Sequence, residues 1–247
     1  MKNEIIKYFF SRKIIWLTFS YFILGCFLTM GPYANYGYYD IYLGTMESAQ
    51  FRLVFFYPTF LMIFIVFFEF MDNKAGTILR LKSRKEYTKF YLKNLFIVIC
   101  YFMLVVILIM GIFANLMPKT GYTQQIYKGY DNVNPMFLLI VNVLKTFLSI
   151  ISMGLLNFII SSKFNNQKVS IICGIIYMCI IEITKDFYSY APVLNFINIG
   201  LYSIGLMYSI EREIIQTMVF YSFYIILLLF VSNIVMKKSN INVGLRK

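Results

Sequence analysis

Two stretches of this chain, Ile14 to Met30 and Leu95 to Met117, contain no charged residue at all. About 20 consecutive apolar residues are what a helix needs to cross the ~30 Å hydrocarbon layer of a bilayer. Lipid offers no partner to open backbone groups, so a run of this kind must be helical, and the period-two alternation of a barrel strand is missing. The rest of the chain agrees: 60% of its residues are hydrophobic and only 14% charged, with a mean hydropathy of +0.71. Soluble domains carry about a quarter charged residues, so a water-soluble globule is excluded.

Six segments read as membrane spans: Ile14 to Met30, Leu53 to Met71 (with Glu69 near its end), Leu95 to Met117, Pro135 to Ser162 (with Lys145 inside), Val169 to about Phe187, and Ile214 to Met236. A seventh stretch, Pro192 to Ile210, has no charge but is thinned by Asn195, Asn198, Gly200, Ser203 and Gly205. As a crossing it would also expel the basic tail, so a hairpin of short helices that dips into the outer leaflet and returns is expected instead. The expected fold is therefore all-α and polytopic: six transmembrane helices in one domain over residues 1–247, with an outer hairpin at 188–213.

The net charge is +12, and in a membrane protein the placement of the cations sets the orientation. With the amino terminus in the cytoplasm, 17 of the 23 Lys and Arg residues fall inside and four outside, namely Arg52, Lys119, Lys128 and Arg212. Both termini are expected in the cytoplasm. No groove-reading motif accompanies the positive charge, so no nucleic acid is expected as a partner.

The chain has no His, which removes His-ligated zinc, Ser-His and Cys-His catalysis and His proton relays together. Cys26, Cys100, Cys173 and Cys179 lie in apolar runs and read as small buried hydrophobes. No metal or cofactor site and no catalytic residue is expected. Ile14 to Met30 lacks a small-residue cleavage site and is expected to stay as a span.

Several segments carry more than a span signal. Residues 1–13 place Ile5, Ile6, Phe9 and Phe10 on one helical face and Asn3, Lys7 and Ser11 on another, the pattern of an interfacial amphipathic helix with Trp16 at the boundary. Tyr33, Tyr36, Tyr38, Tyr39, Tyr42 and Tyr57 gather around the first outer loop. They suit an interfacial aromatic belt or, more sharply, a vestibule for an amphipathic substrate. Pro58 predicts a kink, and Asn115, Asn142, Asn157 and Gln216 suit interhelical hydrogen bonds. Lys145 and Glu182 fall at similar depth in the outer half of the bilayer, where each charge costs about 2.5–3.5 kcal/mol if it faces lipid at the centre. A mutual pair, a wet cavity, snorkelling of Lys145, or relief of Glu182 by Lys185 would each lower that cost.

Between the second and third spans, Asp72 to Asn94 is long and basic, yet Ile78, Leu79, Leu81, Tyr87, Phe90 and Tyr91 interrupt its charges with apolar contacts. Here Glu69, Gly76-Thr77, Leu81, Ser83-Arg84 and Lys93 follow the order E…GT…L…SR…K, which resembles the permease subunits of type-2 ABC exporters. Leu81-Lys82 stands where that family often has a Pro before the Ser-Arg pair. The resemblance implies that residues 72–94 form a cytoplasmic coupling helix, with Gly76, Thr77, Ile78, Leu79, Arg80, Leu81, Ser83 and Arg84 seated in a cleft of a separate ATPase. It also implies a second permease copy or related chain, and a bacterial cell membrane as the location. The chain holds no GxxxxGK[ST] phosphate loop, so ATP and Mg belong on the partner subunit. Short members of the family resemble peptide-export and lantibiotic-immunity permeases, which implies an amphipathic or hydrophobic peptide as substrate. A non-transporting anchor or sensor that recruits a partner through residues 72–94 remains the alternative. An intramembrane enzyme has only Glu182, Lys185 and Asp186 to work with.

Overall fold

A computed structural model describes residues 2–31, 37–48, 50–73, 84–117, 134–164, 169, 171–177, 179 and 210–238. Among these every element is helical and none is a strand. In order they are α1 (Lys2–Ser11), α2 (Lys13–Met30), α3 (Tyr38–Glu47), a π-wound segment (Phe51–Phe56) that runs into α4 (Tyr57–Asn73), α5 (Arg84–Leu116), α6 (Pro135–Phe164), α7 (171–177) and α8 (Ile210–Lys238).

Four stretches among the described residues are long and apolar enough to cross a membrane: Lys13–Met30, Phe51–Met71, Glu86–Leu116 and Pro135–Phe164. Tyr221–Met236 is a shorter apolar length within α8. Their outward faces agree with a lipid setting. Leu104, Leu108, Ile112 and Leu116 recur every fourth residue along α5 and are exposed, as are Val219, Phe223, Ile226 and Phe230 along α8. Continuous apolar stripes of this length do not face water in a soluble monomer. The described residues are all helical, and their apolar spans mark the chain as a multi-pass membrane protein.

Hydrocarbon tails are as apolar as Leu, so packing and close backbone approach must hold such helices together. The tightest example joins α2 to the π-wound segment. A Cβ on Gly25 would lie 2.3 Å from the Phe55 ring, so only glycine lets that ring nest there. Phe22 meets Phe51 at 5.6 Å between centroids, and Phe102 of α5 meets both Phe56 (5.7 Å) and Phe60 (5.6 Å). Farther along, Tyr91 of α5 stacks on Phe158 of α6 at 4.1 Å. These rings form one aromatic core between α2, α4, α5 and α6, and α8 lies along α6 in the most extensive helix pairing.

The π-wound segment has a local cause. Pro58 has no N–H to offer the carbonyl four residues back, that of Val54. Tyr21 of α2 donates its hydroxyl to that oxygen at 2.6 Å, while the Tyr57 N–H reaches the Arg52 carbonyl with five-residue spacing. The freed backbone group is thus met by a neighbouring helix, as a membrane requires.

Three features differ from the sequence expectation. The first outer loop contains α3, whose Asp40, Ile41, Tyr42, Leu43, Thr45 and Met46 are buried against α2, α5, α6 and the π-wound segment. Arg52, counted above as an outer-loop cation, is helical and buried at 6% exposure, and it donates to the Met46 carbonyl at 3.1 Å. Arg84–Asn94, assigned to the connector after the second span, form the opening turns of α5. Thr88, Tyr91 and Asn94 are buried there, so those turns pack on the bundle. Of the cysteines, Cys26 is buried and Cys179 exposed.

Candidate intramembrane site

On α6, Asn142, Lys145, Ser149 and Ser152 follow one another at spacings of three and four and so share a face. Asn142, Lys145 and Ser152 are buried, Lys145 to 7% exposure. Lys145 lies ten residues beyond Pro135, about 15 Å along a membrane-crossing helix, and it is engaged with its surroundings rather than turned to lipid. Ser152 satisfies itself on the Leu148 carbonyl at 2.9 Å, whereas Ser149 hydrogen-bonds across to the Tyr221 hydroxyl of α8.

That link belongs to a tyrosine cluster. Tyr177 of α7 shares a hydrogen bond with Tyr224 of α8, and Tyr221 and Tyr57 lie within electrostatic reach of Tyr177. Tyr221 is buried at 3% and Tyr57 at 2%. Four elements therefore bring hydroxyl groups together, with Ser149 one helical turn from the buried Lys145. Chemically, this is a set of donors that can hold carbonyl or carboxylate oxygens in a low-dielectric surrounding, where hydrogen bonds are stronger than in water. It contains no paired carboxylates, and no group of metal ligands occurs among the described residues.

The other expected site residues are distributed as follows. Tyr38 and Tyr39 are half-buried and meet edge-on at 5.2 Å, and the Tyr39 hydroxyl approaches Met136 Sδ at 3.9 Å. Tyr42 is buried in α3. Tyr33, Tyr36, Glu182, and Gly76, Thr77, Ile78, Leu79, Arg80, Leu81 and Ser83 lie outside the described residues; Arg84 opens α5. The described members of the outer tyrosine set do not form one surface: Tyr57 joins the α7–α8 cluster, whereas Tyr42 packs with α3. Ser149, Tyr177, Tyr221 and Tyr224 were not singled out from the sequence, because they come from three segments with no common spacing. Ser149 one turn beyond Lys145, and Tyr221 three residues before Tyr224, were the available signals.

A second polar contact joins α1 to the bundle. Arg12, between α1 and α2, hydrogen-bonds the Tyr8 hydroxyl, lies over the Tyr8 ring at 4.6 Å, and approaches Glu69 of α4 at 3.8 Å. The Tyr8 hydrogen bond first, and then the Glu69 charge, hold the Arg12 pKa above its ordinary value. Tyr8 also packs against Phe70 at 5.3 Å. Glu69, the first residue of the E…GT…L…SR…K order, is thus tied to the junction of α1 and α2.

No protein-family model, no curated protein and no solved structure matches this chain.

Proposed function

We propose that this chain is the membrane-spanning permease subunit of an ATP-driven type-2 ABC exporter, acting with a second permease copy or related chain and with separate ATPase subunits. The reading rests above all on the order Glu69, Gly76-Thr77, Leu81, Ser83-Arg84, Lys93 at the end of an apolar span. In this reading the fifth and sixth spans are Val169 to about Phe187 and Ile214 to Met236, both termini are cytoplasmic, and 188–213 turns back on the outer side. Burial of Arg52 removes one cation from the outer count and sharpens the charge asymmetry behind that orientation.

The cargo proposed is an amphipathic or hydrophobic peptide leaving a bacterial cytoplasm or membrane. The α6–α8 face supports it chemically, because an ammonium and several hydroxyls can meet peptide carbonyl groups that lipid leaves unsatisfied. ATP and Mg act on the partner.

The test is the double substitution Leu81→Asp with Arg84→Glu in the full chain, co-expressed with its cognate ATPase. Membrane insertion should be unchanged, while transport and coupled ATPase activity fall at least about tenfold, the equivalent of about 1.4 kcal/mol of docking energy. Transport equal to the parent's would leave residues 72–94 as a topology signal only. ATPase recruitment without any transport would favour the anchor or sensor.

A further inference from the structure

Beneath α1 the bundle leaves a shallow, partly open apolar groove, lined by Phe9 and Phe10 of α1, Ile15 and Phe19 of α2, and Ile97 and Tyr101 of α5, among others. Aromatic contacts border it. Phe10 meets Tyr101 edge-on at 5.6 Å and Trp16 at 5.6 Å, and the Trp16 indole N–H donates to the Phe10 carbonyl at 3.1 Å. The lining is almost wholly hydrocarbon and ring surface. A peptide strand laid there would find no partners for its backbone groups, at a cost that an acyl chain does not incur.

The cations around the groove narrow the choice of lipid. Lys13 lies between Phe10 and Ile15 in sequence, Lys7 precedes Phe9 on α1, and Lys93 stands four residues before Ile97, hence on the same face of α5 one turn away. All three are exposed. Arg12, the remaining cation at this junction, is engaged by Tyr8 and Glu69. We propose that the groove seats one acyl chain of an anionic phospholipid from the leaflet in which α1 lies, with the lipid phosphate held by Lys13 and Lys93. The bound chain would lie between α1, α2 and α5, and so fix the position of α1, whose Tyr8 engages Arg12 beside Glu69. The inference needs only the membrane setting and does not depend on the exporter reading.

Trp16 is the single tryptophan and it packs on a lining residue, so it reports directly on the groove. The full chain is placed in phosphatidylcholine vesicles containing a fixed mole fraction of acyl-brominated phosphatidylglycerol, or of acyl-brominated phosphatidylcholine, and Trp16 quenching is compared. Brominated phosphatidylglycerol should quench as though enriched up to about thirtyfold, the Boltzmann equivalent of about 1 kcal/mol from each of the two lysines near an anionic headgroup. Lys13→Gln with Lys93→Gln should abolish the enrichment. Ile97→Phe, which fills the groove, should abolish it as well, while the near-isosteric Ile97→Met keeps it and shows that the site tolerates substitution. Equal quenching by the two lipids in the parent chain overturns the proposal. So does enrichment that survives Ile97→Phe, which would mean headgroup attraction with no acyl seat.

Discussion

The threonines of α2 and α4 and the tyrosines of α7 and α8 handle their hydroxyls in different ways. In α2 and α4, Thr18, Thr29 and Thr59 each return their hydroxyl to the carbonyl four residues back, at 2.7, 2.6 and 2.6 Å. Each hydroxyl is satisfied within its own helix, and the helices then meet through Gly25 and a run of phenylalanine rings. In α6 and α8, Ser152 and Ser232 likewise bond within their own helices, but two further bonds run between elements, from Ser149 to Tyr221 and from Tyr177 to Tyr224. A locally satisfied hydroxyl leaves neighbouring helices indifferent to one another's chemistry. A hydroxyl satisfied across helices makes each one's position depend on the other. The first arrangement suits a scaffold; under the proposed permease function, the second would suit a pathway.

The largest effect is expected where the second region holds charge. If Glu182 is the counter-ion of Lys145, then Lys145→Met or Glu182→Met alone strands a buried ion and should cost about 3–5 kcal/mol, whereas the double replacement should cost far less. Unfolding in mixed micelles of all four forms gives the coupling energy. Should Lys145 serve the pathway instead, transport falls in Lys145→Met and stays low in the double variant. Additive, near-neutral effects would remove the contrast with the threonines of α2 and α4.

Gly25→Ala probes the scaffold side. The new Cβ would stand 2.3–2.6 Å from Phe55 atoms, so α2 or the π-wound segment must shift, at a cost of about 1–3 kcal/mol. The lowered thermal midpoint should come with transport per folded molecule close to the parent's. A selective loss of transport would mean that the aromatic core moves during function.

These regions were unequally legible in the sequence. The apolar runs foretold six spans, four of which coincide with helices long and apolar enough to cross a membrane among the described residues, because an apolar length near that of the bilayer has few other uses. The element α3 was hidden because Asp40, Gly44, Thr45 and Glu47 give its stretch the composition of a loop, and only the surrounding helices bury it. Arg52 looked like a loop cation for the same reason. The Glu69–Arg12 approach joins residues far apart in the chain and leaves no spacing to read. Lys145 stood out because a lone charge in an apolar run is costly, whereas tyrosines pass unremarked in a chain with 21 of them.

Smaller effects should follow from the hydroxyl cluster. Tyr177→Phe or Tyr224→Phe removes one side of a buried hydrogen bond and is expected to cost about 0.5–1.5 kcal/mol. The double variant should cost little more than either single one, since the bond is lost once. Additivity in the unfolding cycle would show that each tyrosine is satisfied elsewhere, and the α7–α8 link would then carry no coupling.

The smallest effect is expected for Thr59→Val, which tests the other side of the comparison. The Thr59 hydroxyl bonds only locally, to the Phe55 carbonyl, and valine matches its shape while deleting the hydroxyl. No helix other than α4 loses a partner, and the carbonyl remains within a wound backbone. A stability change within about 0.5 kcal/mol is therefore expected, with transport unchanged. The Tyr177 and Tyr224 replacements also delete only a hydroxyl, so the chemical change is matched and the difference lies in whether the lost bond crossed between helices. If Thr59→Val proves as costly as Tyr177→Phe, the direction of the bond is not what separates the two regions, and burial alone would have to account for both.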